Sequence, residues 1–115
     1  MSTYTPNTYR KGLLPLIILL LLKEKDLYGY QIVRELDAQT EGVITTQEGA
    51  IYPAMYLLCN EGYISEHKVM VKNRRFRIMY HLEPSGEEYL KKQTAEYEKV
   101  VAAMHKLIKH AEETP

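Results

Sequence analysis

Residues 45–64, TTQEGAIYPAMYLLCNEGYI, decide how this chain is read. The stretch opens on two threonines and a glutamine, carries apolar residues at Ile51, Met55 and Leu58, and stops at Asn60-Glu61-Gly62. Apolar residues four and three apart predict a short amphipathic helix, with Gly62 placed to end it in a left-handed backbone conformation. The residues leave its start open. Thr45 and Glu48 have the spacing of a capping box, and Thr46 or Gln47 are alternative caps. Each of these starts puts Pro53 inside the helix, where its missing amide costs a hydrogen bond. Propensity alone would begin the helix at Tyr52.

Working outward, residues 27–39 predict a preceding helix capped by Asp26, with Tyr28, Ile32 and Leu36 as its core stripe. Gly29 is a poor helix former and signals close approach of another backbone. A first helix is expected over residues 13–24, with Pro15 tolerated in its opening turn. Its surface is apolar almost all round, so it needs cover on both sides, and a chain this small has little left to cover the second. After the central helix, a strand over 63–71, a turn at Lys72-Asn73 and a strand over 74–82 form a hairpin. The second strand alternates: Phe76, Ile78, Tyr80 and Leu82 on one face, Arg75, Arg77, Met79 and His81 on the other, so only one face needs covering. Pro84 then opens a last helix expected to reach about residue 110. Tyr97, Val100, Val101, Met104, Leu107 and Ile108 recur along it at spacings close to a coiled-coil seam.

The chain has 115 residues, 45% of them hydrophobic and 26% charged, which fits one folded domain rather than a disordered segment. Its formal net charge is zero, which by itself argues mildly against a nucleic-acid partner. The distribution argues the other way: residues 66–77 hold five basic side chains against one acidic. Cys59 is the single cysteine, so no intrachain disulfide can form, and it reads as a small buried hydrophobe. The apolar run over residues 13–22 is about half a membrane span and has no cleavage site behind it, so neither a transmembrane helix nor a signal peptide is expected. There is no paired-carboxylate, nucleophile or phosphate-loop pattern, and His105 and His110 do not share a helix face as metal ligands would. No enzyme, cofactor or metal is expected.

A short helix preceded by two helices and followed by a basic hairpin has the order of a winged helix-turn-helix. At this point the motifs carry a resemblance. GAIYPAMYLLCNEGYI resembles the G-x-LYP-x-L-x-x-L-x-x-x-G-x-I stretch of the PadR family of transcriptional regulators, and Gly29, Tyr30 and Ile32 match its GY-x-I motif. Arg75, Arg77, Tyr80 and Leu82 match the family's G-R-P-R-K-Y-Y-x-L-T wing, with Arg74 standing for the glycine and Phe76 for the proline. The LEPSGEEYL start of the last helix resembles the family's L-T-x-x-G-x-x-x-L. The resemblance implies a mainly α fold with a small antiparallel β-hairpin (α+β). It divides the chain into a flexible N-terminal arm (1–11), a winged helix-turn-helix DNA-binding domain (12–82), a long C-terminal dimerisation helix (83–110) and a tail (111–115). It also supports starting the central helix near Glu48 or Gly49.

On that footing Gln47, Ala50, Pro53 and Tyr56 are the candidate base-reading residues, Gln47 being able to pair bidentately with adenine. Thr45, Thr46, Lys72, Arg74, Arg75 and Arg77 are candidates for the DNA backbone or minor groove. Tyr52 and Tyr63 read as packing residues between helix and wing. Leu13, Leu16, Ile17, Leu20, Leu21, Tyr97, Val101, Met104 and Ile108 form the expected dimer interface. The implied function is a cytoplasmic, homodimeric repressor on a palindromic DNA site, released by an aromatic or hydrophobic small-molecule effector. The second reading is a protein-interaction or adaptor module that keeps the winged fold without binding DNA, favoured by the neutral charge and by Glu48.

Overall fold

A computed structural model describes residues 7–115, with side chains from Gly12 onward. Its elements run α1 (Asn7–Glu24), β1 (Leu27–Tyr28), α2 (Gly29–Gln39), α3 (Glu48–Asn60), β2 (Ile64–Met70), a 3-10 turn (Lys72–Arg74), β3 (Phe76–Leu82) and α4 (Pro84–Glu112). The mainly helical class with a small antiparallel sheet is as expected. Several details differ. The hairpin gains a third strand, giving the order β1-β3-β2, because Leu27 pairs with Tyr80 and Tyr28 with Met79. The helix expected from residue 27 therefore starts at Gly29, where the Tyr28 amide donates to Gln31 Oε1 at 2.9 Å. Asp26 does not cap it. Its carboxylate instead meets His81 Nδ1 at 2.7 Å, tying β3 to the start of β1. α1 begins at Asn7 rather than residue 13, so residues 7–11 of the expected arm are helical, and residues 1–6 lie outside those described.

The core is built around α1. Ile18 and Leu19 are wholly buried, and Leu14, Ile17, Leu21 and Leu22 nearly so, against Leu27, Ile32, Leu36, Ile51, Met55, Leu58, Ile64, Tyr80 and Leu90. The domain itself thus covers most of the circumference of α1, since α2, α3, β3 and α4 all pack on it. This corrects the expected interface: Ile17 and Leu21 belong to the protomer's own core, and Leu13 and Leu16 are half-buried against it. Only Leu20, 46% exposed, points outward from this run.

α4 is different. Leu90 is buried, Tyr89 stacks on Tyr63 with ring centroids 4.1 Å apart, and Lys23 pairs with Glu87 at 3.0 Å. Beyond Leu90 no residue of α4 is buried, although Val100, Met104, Leu107 and Ile108 stand among those that follow. At roughly 1.5 Å per residue, that distal half is a rod projecting well past the domain.

Candidate nucleic-acid interface

α3 starts at Glu48 and runs through Pro53, as the motif implied and propensity did not. Tertiary burial of Ile51, Met55 and Leu58 outweighs the one hydrogen bond the proline removes. The Thr45–Glu48 capping box is not formed. Gln47 is the capping residue through its backbone, its carbonyl accepting from the Ala50 amide at 3.0 Å, and the Thr46 hydroxyl donates to the same carbonyl at 3.4 Å. The Gln47 side chain is left exposed at the positive end of the helix dipole, with exposed Thr45 before it and Pro53 and Tyr56 further along. Ala50 is half-buried.

Glu48 is the acidic residue that sits badly beside phosphate. Here it accepts from the Tyr52 hydroxyl at 2.9 Å. Partial burial, then this bond and the Glu48 charge, push the Tyr52 hydroxyl's pKa up. The same hydroxyl explains Gly29: a Cβ there would lie 2.8 Å from it. The close approach expected at Gly29 is real, but its partner is a side chain from α3 and not a backbone. One tyrosine therefore sets how tightly the first two turns of α3 sit on the start of α2.

The wing carries its charges where they were placed. Lys72, Arg74 and Arg75 are exposed around a turn in which Asn73 (φ 60) and Arg74 (φ 59) are both left-handed, the arrangement that lets two residues join twisted strands. Asparagine accepts that conformation readily and arginine does not, so the glycine the family often has here would be more relaxed. Arg77 lies over the Tyr30 ring at 5.0 Å, and Arg34 of α2 lies over the same ring at 5.4 Å. Arg34 was not among the sequence candidates, although its spacing of four from Tyr30 on one helix was a usable signal. Glu48, Tyr52 and Arg77 border one hollow of about 160 Å³, which joins the amino end of α3 to the base of the wing.

Phe76 departs from expectation. Alternation put it on the core face with Ile78 and Tyr80, yet it is 57% exposed, because the core ends before the hairpin does. Cys59 is half-buried, and burial together with Glu66 raises its thiol pKa, the opposite of what a redox sensor needs. At the sheet base, the hydrogen bond to Asp26 raises His81's pKa above the usual histidine value, with the Asp26 and Glu83 charges adding to it. A raised folded pKa gives stability that is present below the unfolded value and lost as pH rises through the folded one. Since both side chains are nearly half exposed, the effect is small. Asp26→Asn should melt slightly below the wild type at about pH 5.5 and together with it at about pH 8. A gap that widened with pH would contradict this.

A helix-turn-helix followed by a two-stranded hairpin with a cationic turn is a winged helix-turn-helix. The sequence model of the transcriptional regulator PadR-like family matches residues 18–92. The chain belongs to that family of DNA-binding transcriptional regulators, which are not enzymes. It is 29% identical to a transcriptional regulator from Clostridium thermocellum whose structure covers 88% of this chain, with 95% of that chain covered and a TM-score of 0.78. A Bacillus subtilis PadR solved in complex with operator DNA is 27% identical, with a TM-score of 0.66 over 71% of this chain and 46% of that one. An uncharacterised protein of Lysinibacillus sphaericus is 30% identical over 90 residues, which make up 78% of this chain and 83% of that protein.

Proposed function

We propose that the chain acts as a homodimeric, sequence-specific repressor on a palindromic operator, and that an aromatic or hydrophobic small molecule releases it. The observation supporting this reading is the exposed amino end of α3, whose Glu48 shares a hollow with Arg77 at the base of the wing. The similar Bacillus subtilis protein was solved on operator DNA, which favours the same use here. Gln47, Ala50, Pro53 and Tyr56 read bases in the major groove, while Thr45, Thr46, Lys72, Arg74, Arg75 and Arg77 hold the backbone or minor groove. The apolar outer half of α4, with Leu20, meets its symmetry mate and sets two α3 helices roughly 34 Å apart. The chain has no tryptophan, so an aromatic effector would stack on tyrosine or phenylalanine. No helix among the described residues is long and apolar enough to cross a membrane, and a cytoplasmic regulator fits that.

Two substitutions separate the roles. Gln47→Ala should cost roughly 1–3 kcal/mol on the preferred site and little on random DNA, as loss of a base-edge contact does. Arg75→Ala should weaken both equally and lower the salt slope by about one unit, since one fewer counterion is released. Gel retardation across a salt series reads both. If no duplex is retarded even at low salt, the winged fold serves another macromolecule.

A further inference from the structure

We propose that the wing inserts an apolar wedge, Phe76 with Met70, into the minor groove and kinks the duplex there; this rests on the DNA-binding reading above. Met70 and Phe76 are cross-strand partners at the open end of the hairpin, 62% and 57% exposed. The fold does not use them. Ile78 and Tyr80, further down β3, make the core contacts, and the hairpin outruns the core by this last pair.

Their surroundings select the occupant. Between Lys68 and Arg77 there is no acidic residue, and Lys68, Lys72, Arg74 and Arg75 flank the pair. Two exposed apolar side chains within a stretch rich in cations fit a polyanion that also offers apolar faces, and stacked bases between phosphates are such a partner. A protein partner held by apolar contact would need a far wider patch than two side chains. The tip is also narrow and fixed, with the Val71 amide bonded to the Arg75 carbonyl at 2.7 Å across a left-handed pair, as suits a groove about 6 Å wide. The strand register puts Met70 and Phe76 on the hairpin face that carries Glu66 and Tyr80. Those two residues border a groove of about 530 Å³ shared with exposed Tyr52 and Tyr56 of α3, so the wedge stands on the hairpin face that is turned toward α3. Pyrimidine–purine steps unstack most easily, so the wedge adds a sequence preference where no side chain hydrogen-bonds a base.

The test uses the full chain and a selected duplex carrying fluorophores at its ends and 2-aminopurine at the step under the wing. The wild type should shorten the end-to-end distance and brighten the 2-aminopurine. Phe76→Ala should lose both signals while keeping its melting temperature and salt slope. Its preference for a TA or CA step over an A-tract under the wing should fall roughly tenfold. Phe76→Leu should retain the bend. A wild type that binds but leaves the duplex straight, or a Phe76→Ala that bends it equally, overturns the wedge and leaves the DNA reading intact. Self-association without DNA that disappears in Phe76→Ala, with bending unchanged, makes the pair a contact between copies and also overturns it. A wild type that binds no duplex removes the reading on which the wedge rests.

Discussion

Ile108→Asp should yield a monomer that binds a full operator no better than a half-site, a loss of at least about a hundredfold from removed avidity. On the far half of α4, Val100, Met104, Leu107 and Ile108 are 52%, 49%, 65% and 48% exposed, at spacings of four, three and one. Covering a large aliphatic side chain contributes about 1.5–3 kcal/mol when it goes from fully exposed to fully buried, so these half-exposed ones contribute less each. Counted on both copies, the total is of the order of the association cost that the proposed dimer must offset. A carboxylate at residue 108 would be desolvated and would face its own image across the two-fold axis. The wing and α3 are far from this position and should be unaffected. Met104→Asp should behave alike. Sedimentation at micromolar concentration reads the assembly. A mutant that is monomeric yet binds the full site with wild-type affinity would break the link between assembly and function.

The other large effect concerns folding. Gly86 is the third residue of α4 and is buried, and a Cβ there would overlap the Tyr63 carbonyl and come within 2.8 Å of Leu82 Cδ1. The carbonyl cannot easily move aside, because it accepts from the Glu83 amide at 3.0 Å and its residue stacks on Tyr89. Gly86→Val should therefore cost about 3 kcal/mol or more, a large share of the stability of an ordinary small domain. The melting temperature should fall by more than about 10 °C. Gly62 offers the contrast. Its φ of +78 favours glycine, but its side-chain space is open, so Gly62→Ala should cost only about 1 kcal/mol. Equal melting temperatures for the two variants would refute this account of how α4 is seated on the domain.

The sequence made some of this legible because period and turn chemistry are local. The Ile51, Met55 and Leu58 stripe is buried as its spacing implied. The hairpin turn falls one residue later than expected, at Asn73-Arg74, with the second strand starting at Phe76. The apolar residues of distal α4 lie exposed along the helix. The misses are nonlocal. A two-residue strand such as β1 is too short for alternation to reveal, and it appears only because β3 offers Met79 and Tyr80 as partners. Asp26 has the chemistry of a helix cap, but His81, 55 residues away, claims it. Alternation tells which face Phe76 takes but not where the core stops. The apolar circumference of α1 did not reveal that its own domain would cover nearly all of it. For the candidate site, residue types at the wing and the start of α3 were readable, whereas the Arg34–Tyr30–Arg77 cluster needed the sheet to bring β3 alongside α2.

Selection of bound duplexes from random DNA, followed by weighing the complex on the winning sequence, tests the central claim most directly. Two chains per duplex on an inverted repeat, with half-site centres about 10 base pairs apart, is the predicted result. One chain per duplex, or no enriched sequence among the duplexes retained, would contradict it.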